Sequence, residues 1–280
     1  MQVLKAISLT SHGIDWLTNT NHPRVLHVFD DACNLINADR DVLSIVTPQI
    51  GNGPFNLVVE DDILFSKYLK SESSVAVFED RLEIGDLTID MRTAQLWNPR
   101  PDWGRLHASK EDISNQLTSL PNVDRQPFLP ASLCSTLTTS IVLADINSSF
   151  IATKQLAGLG IGLTPSGDDF MMGALYAAWI VHPLEVASVF TKEITEIAVP
   201  LTTSLSATGL KSAGRGEAGI IWHEFFVALI ANEDLESPIA KIISVGETSG
   251  ADALAGFLGV FTAFKERIPY AFPKADGSNL

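Results

Sequence analysis

The stretch GLGIGLTPSGDDF, residues 158–170, leads directly into the longest apolar run of the sequence. Thr164 stands where a helix N-cap acceptor belongs, and Pro165 stands at the first helical position, where a missing N–H costs nothing. Asp168 and Asp169 then fall in the first turn, where negative charge meets the positive end of the helix dipole. The stretch therefore predicts a long helix that begins near Pro165.

Helix chemistry does not account for the glycines that precede this helix. Gly158, Gly160 and Gly162 allow a positive φ and let a ligand approach backbone N–H groups, as at anion sites on helix N-termini. A nucleotide P-loop is excluded, because Asp168 and Asp169 stand where that motif requires Lys and Ser or Thr. A well-started helix and an anion site both remain open, and for the loop as a whole we favour the anion site.

A second stretch, VGETSGADALAGFLGVF at residues 245–261, repeats part of the first. Superposing Ser166 on Ser249 gives the shared pattern S-G-x-D-x-x-x-G-x-L, and either duplication or chance explains such a match. In both copies a glycine follows the aspartate by four residues, which permits close packing of the helix against a neighbour.

If the two helices pack together, their hydroxyl and carboxylate groups converge on one pocket. Backbone N–H groups would take the anionic oxygens of a small ligand, and the carboxylates would accept from its amide hydrogens. The competing interpretation is that each residue only caps its own helix. The candidate catalytic residues are Asp168, Asp169 and Asp252, and the candidate substrate-binding residues are Gly160, Gly162, Thr164, Ser166, Gly167, Arg215, Thr248, Ser249 and Gly250.

Arg215 is the best basic candidate for contact with a carboxylate or phosphate, although a surface arginine beside two flexible glycines is the alternative. The pair His223-Glu224 lacks the second histidine of a zinc helix, so no metal ligand set is assigned. Mg²⁺ held by Asp168 and Asp169 is conceivable as a cofactor, because adjacent acids near a phosphate would otherwise repel it.

The chain divides by pattern into a β-rich domain at residues 1–104 and an α-helical domain at residues 105–280, an α+β organisation. Up to residue 97, short β-branched segments alternate with turn residues and predict a mostly antiparallel, barrel-like sheet. One insert, DDACNLINADR, is interpreted as a helical turn, and NPRPDWGRL as a linker or a loop that crosses between the domains. The turn GNGP at residues 51–54 either presents Asn52 to the other domain or is an ordinary hairpin turn. Beyond residue 109 the apolar positions recur every three or four residues, which predicts helices.

The composition limits the classes of partner. With 46% hydrophobic residues in 280, the chain can bury a full core. Nineteen Lys and Arg against 33 Asp and Glu give a net charge of −14, which argues against nucleic acid. The N-terminus lacks a secretory pattern and no apolar run is long enough to span a bilayer, so a cytoplasmic protein without a membrane partner is expected.

Together, GLGIGLTPSGDDFMMG, TTSLSATGLKSAGRGE and SVGETSGADALAG resemble a bacterial family of long-uncharacterised proteins. One branch of that family is the AllH subunit of oxamate carbamoyltransferase in allantoin degradation. The resemblance extends in order from RVLHVFDDACNLI at residue 24 to the C-terminal motif. The histidine usual before the last T-S-G of the family is Glu247 here.

The resemblance implies a subunit of a carbamoyltransferase in purine catabolism, with other enzyme subunits as partners and oxamate, oxalurate, carbamoyl phosphate or phosphate as ligands. Three functional hypotheses follow. The chain is a component of the enzyme that stabilises the transition state with N–H donors, or a non-catalytic metabolite-binding or scaffold subunit, or a metal-dependent hydrolase that uses Asp168 and Asp169.

Overall fold

Strand β1 (Gln2–Leu9) is central to a nine-stranded sheet in the N-terminal part of the protein. The computed structural model describes residues 2–120 and 129–267. The sheet order is β2-β3-β4-β5-β1-β8-β7-β6, and β9 pairs with β1. The other strands are β2 (Arg24–Val28), β3 (Ala32–Ile36), β4 (Val42–Val46), β5 (Asn56–Val59), β6 (Val75–Val77), β7 (Arg81–Ile84), β8 (Leu87–Asp90) and β9 (Gln95–Leu96).

This sheet is nearly closed and barrel-like, as predicted, and five of its eight strand pairings are antiparallel. The three parallel pairings are β1 with β8, β1 with β9, and β4 with β5. Fully buried apolar side chains such as Leu4, Leu35 and Ile45 fill its interior. Burial of these β-branched and aliphatic residues is the main stabilising contribution to this part of the fold.

Eleven helices occupy the described residues, ten of them after the sheet, which confirms the α+β class. Helix α1 (Ser11–Asn19) lies between β1 and β2. The remaining helices are α2 (Trp103–Ala108), α3 (Lys110–Thr118), α4 (Ala131–Leu143), α5 (Ile146–Leu156), α6 (Ser166–Val181), α7 (Leu184–Ala198), α8 (Ser204–Gly214), α9 (Ile220–Ala231), α10 (Glu236–Ile243) and α11 (Ser249–Arg267).

Helix α6 is the centre of the helical part, and 14 of its residues are buried. The large aromatic side chains around it, including Trp103, Trp222 and Phe257, form one cluster that is separate from the core of the sheet. None of the helices in the described parts of the chain combines the length and the apolar character that crossing a bilayer needs.

Two local predictions were wrong, and one helix was missed. The insert DDACNLINADR contains strand β3 rather than a helical turn, because its apolar residues pair in register with β4 and are buried there. The linker NPRPDWGRL becomes helical at Trp103, where the Asp102 side chain accepts from the Arg105 N–H. Helix α1 was not predicted; the hydroxyl of Thr10 caps it by accepting from the Gly13 N–H.

Candidate functional site

The two motif helices, α6 and α11, pack against each other through their glycines. A Cβ on Gly173 would overlap the carbonyl oxygen of Ala253, and a Cβ on Gly256 would overlap the carbonyl oxygen of Phe170. The superposition of Ser166 on Ser249 pairs residues that are 83 positions apart, so Gly173 corresponds to Gly256 and Phe170 to Ala253. Each of the two contacts is therefore the counterpart of the other. The repeat in sequence is therefore matched by a local two-fold relation in space.

This packing brings the first turns of the two helices together. The hydroxyl oxygens of Thr164 and Ser249 lie 2.9 Å apart and share a hydrogen bond. The predicted N-cap role of Thr164 and the first helical position of Pro165 were both wrong, since Pro165 is the N-cap, Ser166 is the first helical residue and no side chain caps the helix. Asp169 and Asp252 are each only 5% exposed, and one carboxylate oxygen of each has no hydrogen-bond partner among the described residues.

The other aspartate of the motif, Asp168, is fully engaged with its neighbours. Its Oδ1 accepts from the N–H of Gly158 at 2.9 Å, and its Oδ2 accepts from the hydroxyl of Thr202. Burial raises the pKa of Asp168, and these hydrogen bonds oppose the rise. Asp168 therefore joins the glycine loop to the segment before α8, and both of its oxygens already have partners.

Asp169 is in a different environment. Burial raises the pKa of Asp169 to about 7, the hydroxyls of Ser249 and Thr164 partly oppose the rise, and the nearby Asp252 and Asp168 add to it. A carboxyl group with this pKa can give or accept a proton near neutral pH, which is the property of a general acid or base.

Asp169 lines a cavity of about 440 Å³ that lies between the sheet and the helices. Its helical walls come from α6, α8, α9, α10 and α11, and its walls on the sheet side come from β3, β4, the start of β5 and the turn before it. Candidate residues that line it are Thr164, Asp168, Asp169, Ser249 and Gly250. Apolar side chains such as Met172, Ile220 and Trp222 cover much of the remaining wall.

The sheet contributes polar residues to the cavity that were missed in the sequence. Asn34 and Ser44 are register partners on β3 and β4, and the Ser44 hydroxyl donates to Asn34 Oδ1 at 2.7 Å. Both are buried in otherwise apolar strands, and this break in hydrophobic pattern is the signal that could have identified them. Asn52 also lines the cavity, and its backbone carbonyl accepts from the Ile220 N–H at the start of α9. The GNGP turn thus faces the helices.

Some backbone N–H groups of the first motif donate hydrogen bonds within the protein, and others do not. Those of Gly167, Asp168 and Asp169 donate to carbonyl oxygens of the protein. Those of residues 160–164 donate to none of the residues that the structure describes. Gly158, Gly160 and Gly162 adopt φ values of 71°, 130° and 90°, which favour glycine. Any anion held by the motif would therefore contact the exposed loop at residues 160–164.

The remaining candidates do not line the cavity. Ser166 and Gly167 lie in the first turn of α6, where a Cβ on Gly167 would overlap the carbonyl oxygen of Leu156, and Thr248 is exposed just before α11. Asp252 lies beside Asp169 and outside the cavity wall. Arg215 lines a different pocket and pairs with Glu217 at 2.7 Å. Within residues 2–120 and 129–267, no three His, Cys, Asp or Glu side chains form a group that could hold a metal ion.

Comparison with protein-family models gave two matches. Residues 5–96 match the N-terminal domain of the AllH family, and residues 156–261 match the model described as oxamate carbamoyltransferase subunit AllH. The second match contains both motif helices and the loop before them. No solved structure matches the chain.

Proposed function

The chain belongs to the AllH family, and from that premise we propose that its cavity binds the amide group of a carbamoyltransferase substrate. The family is described as a subunit of oxamate carbamoyltransferase, so other subunits are expected to act with it. Oxamate, oxalurate and carbamoyl phosphate, the ligands we propose, each combine an amide with a carboxylate or phosphate. The same proposal places the chain in the degradation of allantoin and other purine products.

Two buried atoms carry this proposal. Asp169 Oδ2 and Ser206 Oγ have no hydrogen-bond partner of good geometry among the described residues, although the Ser206 hydroxyl is near enough to Asp168 to lower the pKa of that carboxyl, and both residues line the cavity. A buried polar atom without a partner costs about 1–3 kcal/mol. An amide has N–H donors, which suit the carboxylate oxygen, and a carbonyl acceptor, which suits the hydroxyl.

The anionic end of the substrate needs a different environment. Among the described residues that line the cavity, none is Lys, Arg or His, whereas two are aspartates. The open N–H groups of residues 160–164 are suitable donors for an oxyanion. Because this loop is exposed, another subunit can complete the contact with a basic side chain.

Asp169 has the protonation behaviour that the reaction requires. When a hydrogen phosphate oxygen attacks the carbamoyl carbon of oxalurate, the bond from that carbon to the oxamate nitrogen breaks. The nitrogen then takes up a proton, and hydrogen phosphate loses one as carbamoyl phosphate forms. With its pKa raised to about 7 by burial, Asp169 is suited to give the first proton and recover the second. Asp252 and Asp168 assist by keeping Asp169 protonated.

An assay of the assembled enzyme distinguishes a catalytic role of this chain from a role in binding alone. We expect Asp169→Asn to reduce phosphorolysis of oxalurate by about 10²-fold or more, because the amide cannot transfer the proton. Asp112→Asn is the matched control, since Asp112 also lies in the first turn of a helix but is exposed. Full activity of Asp169→Asn would contradict the catalytic role.

The non-catalytic alternative is supported by the lack of any His, Lys, Arg or Cys among the described cavity residues. It predicts that oxamate raises the midpoint of thermal unfolding of the isolated chain. It also predicts that Asp169→Asn weakens this effect while turnover in the assembled enzyme persists.

A further inference from the structure

A second pocket, of about 670 Å³, lies on the other side of helix α8 from the cavity. Four basic side chains line it, Arg100, Lys192, Lys211 and Arg215, and we call it the basic pocket. Its described lining includes only two acidic side chains, Glu185 and Glu196. Four of the 19 basic residues of a chain with 33 acidic ones therefore converge at one place. Asp41 and Glu217, which pair with two of these cations from outside the lining, bring the local count to four basic and four acidic side chains, so this region is less acidic than the protein as a whole.

Two of these cations are held in place by carboxylates outside the pocket. Lys211 Nζ lies 2.6 Å from Asp41 of the sheet, and Arg215 pairs with the nearly buried Glu217. These contacts use Nε and Nη2 of Arg215, while its Nη1 donates to none of the described residues. The guanidinium group thus has donors left for a ligand.

The other two cations are less engaged. Arg100 has no carboxylate within 4.0 Å in the described parts of the chain. Lys192 lies 3.7 Å from Glu196, and both side chains are exposed, so this pair contributes little. Trp103 and Trp179 also line the pocket, and their indole N–H groups donate to backbone carbonyls of Gly216 and Ala213. In this pocket the two tryptophans are held by hydrogen bonds, whereas the side chains of Arg100 and Lys192 are free to turn toward a ligand.

We propose that the basic pocket binds phosphate or another doubly charged oxyanion through the basic side chains that line it. Fork-shaped arginine donors and compact lysine ammonium groups are the usual protein partners of phosphate. The site is distinct from the cavity, and this inference does not depend on the function proposed for the cavity.

The same pocket is connected to the cavity through one side chain. Arg215 Nη2 donates to the Ser212 hydroxyl at 3.2 Å, and Ser212 lines the cavity. An oxyanion that draws Arg215 toward itself competes for this donor. Occupancy of the basic pocket is therefore expected to alter the polar wall of the cavity.

The experiment measures stabilisation of the full chain by inorganic phosphate at fixed ionic strength, from which an apparent affinity follows. We expect the double variant Arg100→Ala, Lys192→Ala to bind phosphate about tenfold more weakly or worse, since two charge-assisted contacts are lost. The control is Lys67→Ala, Lys70→Ala, which removes the same charge from exposed positions of the sheet part. It should bind phosphate as the unmodified chain does.

Variant Asp169→Asn separates this inference from the proposed function. In an Asp169→Asn background, Arg100→Ala, Lys192→Ala should weaken phosphate binding by the same factor as in the unmodified chain, because Asp169 does not line the basic pocket. If the unmodified chain is not stabilised by phosphate, or if Arg100→Ala, Lys192→Ala responds as strongly, the inference is overturned. If phosphate binding is lost in Asp169→Asn but not in Arg100→Ala, Lys192→Ala, the phosphate binds in the cavity, and the inference is also overturned.

Discussion

The hydroxyl oxygens of Thr164 and Ser249 lie 2.9 Å apart although 85 positions separate them in sequence. Thr164 stands two residues before the first copy of the repeated motif and Ser249 begins the second, and Asp169 lies beside both. The contact exists because α6 and α11 approach closely enough for the glycine of one helix to touch the backbone of the other. The properties of the candidate site therefore depend on how these two helices pack.

Gly173→Ala tests that packing. The added Cβ would overlap the carbonyl oxygen of Ala253, so the helices must separate. We expect a loss of about 3 kcal/mol or more in the free energy of unfolding, measured by urea denaturation.

The matched control is Gly209→Ala, on helix α8. The nearest atom to its added Cβ is the sulfur of Met172 at 3.9 Å. We expect this variant to be unchanged or stabilised by about 0.5–1 kcal/mol, because alanine reduces the entropy of the unfolded chain. Equal destabilisation of the two variants would show that close packing of α6 and α11 is unimportant.

The two adjacent aspartates should respond differently to the same substitution. In Asp168→Asn, an amide nitrogen replaces one of two oxygens that accept from Gly158 and Thr202. We expect a loss of about 1–3 kcal/mol in unfolding free energy. Asp169→Asn should cost less, because a neutral amide replaces a carboxyl group whose pKa is about 7 and of which one oxygen has no hydrogen-bond partner among the described residues. Chemical denaturation of both variants checks this order, and the reverse order would contradict the assignment.

The stability of the protein should depend on pH through Asp169. Its pKa is about 7 in the folded protein against an ordinary value of 3.8, so between these values the folded state holds a proton that the unfolded state has released. The free energy of unfolding should therefore fall as the pH rises from about 4 to about 7, by on the order of 4 kcal/mol.

Asp169→Asn should remove most of this dependence. A smaller slope of the same sign should persist, because burial also raises the pKa of Asp168. Urea denaturation of both proteins across this pH range makes the comparison. An identical slope in the two proteins would be evidence against a protonated Asp169.

A metal requirement is tested by chelation. Both oxygens of Asp168 are occupied by Gly158 and Thr202, so Mg²⁺ held jointly with Asp169 would have to displace these partners. We expect the turnover of the assembled enzyme to be unchanged after treatment with a chelator. Activity that is lost and then restored by Mg²⁺ would favour the metal-dependent hydrolase.

Much of the candidate site could be predicted because its signals are local. The start of α6, the two aspartates in its first turn and the matching start of α11 follow from the order of Pro, Ser, Gly and Asp along the chain. The glycine four residues after each aspartate indicated close helix packing, and Gly173 and Gly256 confirm it. The strand-rich part was predicted from its β-branched residues, while the strand in DDACNLINADR was missed because one stretch of apolar residues fits either period.

What the sequence determined by itself is therefore the set of helix beginnings, the class of the fold and the residues able to meet at a helix crossing. Tertiary structure alone decided which groups have partners. Asp168 accepts hydrogen bonds, whereas one oxygen of Asp169 has no partner among the described residues. Arg215 forms an ion pair with Glu217, and Asn34 lines the cavity. The physical reason is the range of the interactions. Caps and turns depend on neighbours a few residues away, whereas burial, hydrogen-bond partners and pKa depend on distant segments that meet only when the sheet and the helices pack.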